Sequence, residues 1–217
     1  MNTIPTAQLP AMFQSVGELF QEKKDELGAL DARLGDGDLG LTMSKGFGTL
    51  PELFRSLLGE GGDDAGMLLM KSGMKMASLI PSTMGFLMSS GMMEGGKTLK
   101  GATELDAKGL AAFLTGFAAG VQKRGKCEAG QQRTLYDALL PAAEAANETA
   151  KTPDACLDDV ITAALAAAEC GVEATKTMTP VFGKAAVHAA QCQDTPDQGA
   201  LAGYYLIQGM KAYICNG

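Results

Sequence analysis

Asp31, Asp36 and Asp38 fall within eight residues of the segment Leu30–Gly40, interleaved with Gly35, Gly37 and Gly40. Glycines on either side of acidic residues let the backbone fold tightly enough to turn the carboxylates toward one point. Two carboxylates about 4 Å apart repel by about 4 kcal/mol at an effective dielectric of about 20. One neighbouring cation, Arg33, does not neutralise three anions. A hard divalent cation does, and an all-oxygen donor set suits Mg²⁺ or Ca²⁺ rather than zinc. Counting excludes an EF-hand: with Asp36 at the first position of the loop, the fifth is Gly40 and the last is Phe47, so the bidentate Glu is missing. Magnesium keeps coordination positions open for water and phosphate oxygens, which makes a phosphate-bearing ligand the natural companion. The other reading of the same spacing is a solvated acidic turn whose aspartates cap helices.

A second motif competes. Gly91-Met92-Met93-Glu94-Gly95-Gly96-Lys97-Thr98 matches the P-loop pattern letter for letter. Such a loop needs a buried strand before it and a helix after it. Met84–Ser90 has no β-branched run, and Lys100 and Gly101 open a helix poorly. The chain has one histidine, His188, so a multi-His metal site is excluded and any Ser-His-Asp or Cys-His set would have to use it. No partner for it is visible in the sequence, and it reads as an ordinary surface or packed histidine. Met67, Met70, Met74 and Met76 read as core.

The elements that must position these groups are helical. Val and Ile together number 11 against 13 Met in a chain of 217 residues dominated by Ala, Leu and Met, the composition of helices rather than strands. No convincing strand or hairpin pattern appears, and the expected class is all-α. Breakers divide the chain into about eight helices: Thr6–Leu30, Leu41–Leu58, Asp63 or Asp64 to Ser78, Met84–Met93, Asp106–Lys123, Arg133–Ala150, Asp154–Thr177 and Ala200–Ile214. The stretch from Pro180 to Gly199 reads as irregular. Short connections favour antiparallel neighbours in a bundle, and Ala runs such as Ala163–Ala168 allow close approach. Without repeats or a linker, residues 1–217 read as one domain.

Composition excludes further classes. Apolar residues at 46% and charged residues at 20% supply a core, so disorder is not expected. A net charge of −7 argues against nucleic acid as a partner. Five cysteines without a C-x-x-C pair read as reduced thiols. No basic segment followed by an apolar run opens the sequence, and no stretch nears the roughly 18 apolar residues of a membrane span. The expectation is a cytoplasmic protein with no membrane segment.

The stretch LDARLGDGDLGLTMSKGF closely resembles the signature LD-x-x-x-GDxDHG-x-N-M-x-x-GF of dihydroxyacetone kinase nucleotide-binding subunits, the DhaL or Dak2 family. The resemblance extends over essentially the whole chain and is strongest here. It implies a barrel of eight antiparallel helices with ADP or ATP bound at one end. It also implies that Asp31, Asp36 and Asp38 hold a pair of Mg²⁺ ions on the nucleotide phosphates. Leu39, Gly40 and Thr42 fall among the family's nucleotide contacts, with Leu39 in place of a histidine and Thr42 in place of an asparagine. Ser82, Thr83 and Gly85 stand in the family's glycine-rich GGASGPLFG loop, rebuilt here as Pro81–Ser89, where the two hydroxyls would substitute for open backbone amides. Gly125 lies in a matching Arg-Gly-Lys, and Leu135 takes the apolar position near the adenine. Lys184 replaces an arginine that reaches the phosphates, keeping charge without the bidentate fork. Asp197 and Gly199 match the family's DPGA, with Gln198 in place of the proline.

The function so implied is phosphoryl transfer to a short keto-sugar, dihydroxyacetone or a longer ketose, held by a separate DhaK-like subunit. The phosphate would come from ATP directly or from a phosphotransferase-system phosphocarrier acting on bound ADP, and self-association is a further possibility. The alternatives are a regulatory or assembly paralogue that still binds Mg-nucleotide, motivated by the rebuilt loop, and a P-loop NTPase using Gly91–Thr98.

Overall fold

The computed structural model describes residues 1–33, 35–127, 132–187, 189 and 192–216. A 3₁₀ turn at Thr6–Gln8 leads into α1 (Leu9–Glu22), whose Leu9, Met12, Phe13, Val16 and Phe20 form one buried stripe at helical period. The single helix expected over Thr6–Leu30 is in fact two. The backbone leaves helical geometry at Lys23 (φ −87°, ψ 5°), inside the fully charged run Glu22–Glu26, and α2 (Lys24–Ala32) starts afresh. The expected Leu41–Leu58 helix is likewise divided into α3 (Leu39–Gly48) and α4 (Leu50–Gly59). Pro51 has no N–H to continue the ladder across that junction.

Helix α5 (Ala65–Leu79) is capped by Asp64, whose Oδ1 accepts the Met67 N–H at 2.9 Å. Helix α6 (Thr83–Thr98) runs past the stop expected at Met93, because its glycines are crossing points rather than breaks. A Cβ on Gly95 would press on Phe113, and one on Gly96 would press on the Gly66 carbonyl and Met70. Gly91–Thr98 therefore lies inside a helix. Lys97 Nζ bonds Glu94 Oε1 at 2.6 Å and Thr98 Oγ1 donates to the Gly95 carbonyl at 2.7 Å, which removes the P-loop reading.

Four further helices follow: α7 (Ala107–Gly125), α8 (Leu135–Ala150), α9 (Leu157–Thr175) and the short α10 (Gly183–Val187), the last within the stretch expected to be irregular. Helix α11 (Gln198–Asn216) completes the set. Two short strands correct the expectation of none. β1 (Thr3–Pro5) pairs antiparallel with β2 (Glu104–Asp106), with Ile4 opposite Leu105.

Helix α6 packs on α5 and α7, α7 on α8, α8 on α9, α9 on α11, α11 on α1 and α1 on α3; α3 touches α6 and α4 touches α5, so the contacts return to their start. The molecule is an all-α, multi-helix bundle. Its core includes a stacked Phe20–Phe47 pair and an edge-on Phe13–Phe54 pair, with centroids 4.8 and 5.0 Å apart. Among the described residues no helix is long and apolar enough to cross a membrane, and no cysteine is in a disulfide.

Candidate functional site

Asp31 ends α2 and is buried, whereas Asp36 and Asp38 are exposed on the turn that leads into α3. One carboxylate oxygen from each lies within 4.8 Å of the others, so the turn does converge all three. The local chain is built for this. Asp31 Oδ2 accepts the Gly37 N–H at 2.9 Å and the Leu39 N–H at 3.4 Å, folding the turn back over its own carboxylate. Gly37 adopts φ +78°, a conformation costly for other residues, and a Cβ on Gly35 would collide with the Asp31 carboxylate. Asp31 thus caps α3 from the preceding helix.

Around the three carboxylates opens a cleft of about 720 Å³ lined by Leu39, Ser82, Thr83, Leu135, Asp197 and Gly199 among others. It brings together the first residues of four helices: Leu39 of α3, Thr83 of α6, Leu135 of α8 and Gln198 of α11. Each helix N-terminus carries about half a positive charge from its unpaired N–H groups, so the rim attracts anions while the centre attracts cations. The caps are Asp31 for α3, Ser82 (Oγ accepting the Gly85 N–H at 3.0 Å), Thr134 (Oγ1 accepting the Tyr136 N–H at 3.2 Å) and Asp197 (Oδ1 accepting the Ala200 N–H at 2.8 Å). Phe86, Leu87 and Phe182 supply an apolar wall. A cleft of about 800 Å³ lies where α8 ends, lined by Asn147, Lys151 and Asp154, but among the described residues it gathers no comparable ligand set.

Not every expected residue reaches the cleft. Gly40 serves packing: a Cβ there would sit well inside contact distance of the Lys24 carbonyl oxygen on α2. Thr42 is buried in α3, and Gly85 is pressed against the Ile80 carbonyl with its N–H committed to Ser82. Gly125 ends α7 beside Cys127 and Leu87. Lys184 belongs to α10, but its side chain, like His188, lies outside the described residues.

The sequence reading missed a buried polar cluster behind the cleft. Arg133, with φ +56° and 3% exposure, donates from Nη1 to the Thr175 carbonyl at 2.9 Å. Its Nε and Nη2, and Asp137 Oδ1, have no partner among the described residues. Asp137 Oδ2 accepts the Thr134 N–H at 2.7 Å, completing the capping box of α8. Burial pushes the Asp197 carboxyl up to about 6, against the Ala200 N–H and the Arg133 charge, which pull it down. Gln198, also missed, donates from Nε2 to Asp31 Oδ1 at 3.5 Å. Its signal was present: a polar residue in place of the family's proline, next to an aspartate.

Comparison with known proteins decides the family. The model of the DAK2 domain matches residues 33–212, a span that includes Asp36 and Asp38 and begins just after Asp31.

The chain belongs to the DAK2 domain family.

Among DAK2 relatives, it is 37% identical over 133 residues to the ADP-binding subunit DhaL of PEP-dependent dihydroxyacetone kinase 2 of Listeria innocua, which is 61% of each chain. It is 30% identical to the corresponding subunit of that organism's kinase 1, over 89% of each chain. It is also 33% identical to the triokinase/FMN cyclase of Rattus norvegicus, matching 92% of this chain but only 33% of that protein. The crystal structure of the dihydroxyacetone kinase from C. freundii in complex with AMP-PNP and Mg²⁺ superposes with a TM-score of 0.70 at 24% identity, covering 95% of this chain and 34% of that one. The DAK2 domain here thus spans about a third of the triokinase and of the crystallised kinase, and it shares its bundle fold with the latter.

A divalent cation fits the residues present. Three carboxylate oxygens within 4.8 Å of one another, two of them open to solvent, offer a hard donor set with room for ligand oxygens.

Proposed function

We propose that this DAK2 domain is the nucleotide-binding subunit of a dihydroxyacetone-type kinase, taking ADP or ATP together with two Mg²⁺ ions on Asp31, Asp36 and Asp38. The observation that carries this reading is the convergence of three carboxylates at the centre of a cleft rimmed by four helix N-termini. It is a site of mixed polarity, suited to a cation and a phosphate chain together rather than to either alone. When bound, the metal supplies positive charge to phosphate oxygens during phosphoryl transfer. The chain's own residues do the positioning. The N-terminal ends of α6 and α11 face the phosphate chain, Ser82 retains a hydroxyl proton to donate while its oxygen caps α6, and Leu135 with Phe86 and Phe182 receives the base. The packing circuit of the helices supports the finer architecture, an eight-helix antiparallel barrel formed by residues 1–217 as a single domain with the site at one end.

The acceptor keto-sugar is held by a DhaK-like partner subunit that closes over this end, in the cytoplasm, with ATP or a phosphocarrier protein as the phosphate source. Thermal shift with ADP tests the site: stabilisation requires Mg²⁺, is lost in Asp36→Asn and persists in Lys97→Ala. Phosphorylation of dihydroxyacetone in the presence of a DhaK-like subunit tests the activity. One observation favours a second reading, a regulatory paralogue that binds nucleotide without turnover. Leu39, where the family signature carries histidine, is buried and apolar, so no proton acceptor stands at that position. In that case the thermal shift remains and no phosphorylated sugar forms.

A further inference from the structure

Gln198 opens α11 inside the cleft, with Nε2 3.5 Å from Asp31 Oδ1. Its Oε1 is sealed from solvent and has no hydrogen-bond partner among the described residues. Because one end of the amide lies in that sealed place in either orientation, what stands beside Asp31 decides which end faces the carboxylate. The two ends of a primary amide are nearly the same size and exchange places by a half-turn of the last side-chain torsion. In the opposite orientation the amide oxygen faces Asp31 at that same separation, shorter than the 4.8 Å within which the three carboxylate oxygens lie. An oxygen beside a carboxylate is unfavourable by itself and favourable with a cation between them. Glutamine carbonyls are ordinary ligands of hard divalent ions. The family pattern has proline at this place, so the amide is an addition made by this chain.

We propose that Gln198 supplies a fourth oxygen to the divalent cation held by Asp31, Asp36 and Asp38, turning its amide from donor to Asp31 into ligand of the ion. The proposal rests on the carboxylate cation site put forward above. The added oxygen is neutral, so it fills a coordination position without adding to the repulsion among the three anions. It also links the ion to α11 as well as to the α2–α3 turn, so that cation binding ties together two elements distant in sequence.

The test uses Mn²⁺ alone, without nucleotide, followed by the loss of the electron paramagnetic resonance signal of the free aquo ion. Gln198→Leu, which keeps bulk and removes the oxygen, weakens Mn²⁺ binding by about tenfold. Gln198→Glu, which keeps an oxygen and adds charge, strengthens it by a similar factor. Asp36→Asn abolishes uptake in either background. If Gln198→Leu binds Mn²⁺ as the unaltered protein does, or if the Leu and Glu variants weaken it alike, the ligand role of Gln198 is overturned and the carboxylate site stands. If the unaltered protein takes up no Mn²⁺, or Asp36→Asn takes it up undiminished, the carboxylate site falls and this proposal with it.

Discussion

Tyr205 on α11 donates its phenolic proton to Glu26 Oε1 on α2 at 2.7 Å, and Lys23 Nζ lies 3.5 Å from the other oxygen of the same carboxylate. This triangle fixes the short helix that carries Asp31 against the helix that carries Gln198. Burial first, and then the bond and charge of Glu26, hold the Tyr205 phenol far above its ordinary range, so it stays a donor at any physiological pH. Because Glu26 is half exposed, the bond belongs at the low end for a charged acceptor. Tyr205→Phe should cost about 1.5 kcal/mol. Calorimetry should show Tm falling by about 3–6 °C for a chain of this size.

Gly40 is the contact that sets the distance between α2 and α3. A Cβ there meets backbone, the Lys24 carbonyl, and not the yielding end of a side chain. Gly40→Ala should therefore destabilise by about 3 kcal/mol, since backbone overlap is relieved only by moving a helix. That movement also pulls Leu39 away from Asp31 Oδ2, so Mn²⁺ affinity measured on the folded fraction should drop together with the urea midpoint.

Arg133 is the buried positive charge near Asp197 and Asp137, and it holds the end of α9 through the Thr175 carbonyl. Truncation leaves two buried carboxylates without it. Arg133→Ala should cost about 1–3 kcal/mol in urea denaturation, because it leaves the buried Thr175 carbonyl without its donor. Arg133→Lys should recover only part of this, because an ammonium cannot reproduce the fixed fork of a guanidinium.

Asp159, in the first turn of α9, accepts the Cys156 N–H on Oδ2 at 2.9 Å, and this bond holds its carboxyl below the ordinary 3.8. In the acid range the unfolded chain binds the proton more readily than the folded one. The contribution is therefore fully present above the unfolded value and disappears as pH falls through the folded value. Urea midpoints of the unaltered protein and Asp159→Asn, compared between about pH 5 and pH 2.5, should converge toward the acid end.

Much of this architecture could be read from residue order, and the exceptions share a physical cause. Asp64 and Asp106 marked helix starts correctly because caps act within one turn. The aspartate cluster was legible for the same reason: its three residues lie close in sequence and the glycines that fold them are interleaved. The break at Lys23 was missed because Glu22–Glu26 are good helix formers, whereas at Thr49 the signal was local, in Gly48 and Pro51, and one apolar stripe running on through both helices masked it. Gly95 and Gly96 looked like a stop and proved to be a crossing, a difference visible only once Phe113 and Gly66 are alongside. The strand pair joins Ile4 to Leu105 across about a hundred residues, with three residues a side and no alternation long enough to register. Arg133 and Gln198 gain their meaning from Thr175 and Asp31, partners that no local pattern could supply.

The two halves of the acidic cluster differ in what else depends on them. Asp31 is buried and holds the Gly37 and Leu39 amides, so the start of α3 rests on it, while Asp36 and Asp38 stand at the surface. Any change at the inner aspartate is therefore judged first by whether the chain still folds, before its effect on a ligand can be selected at all.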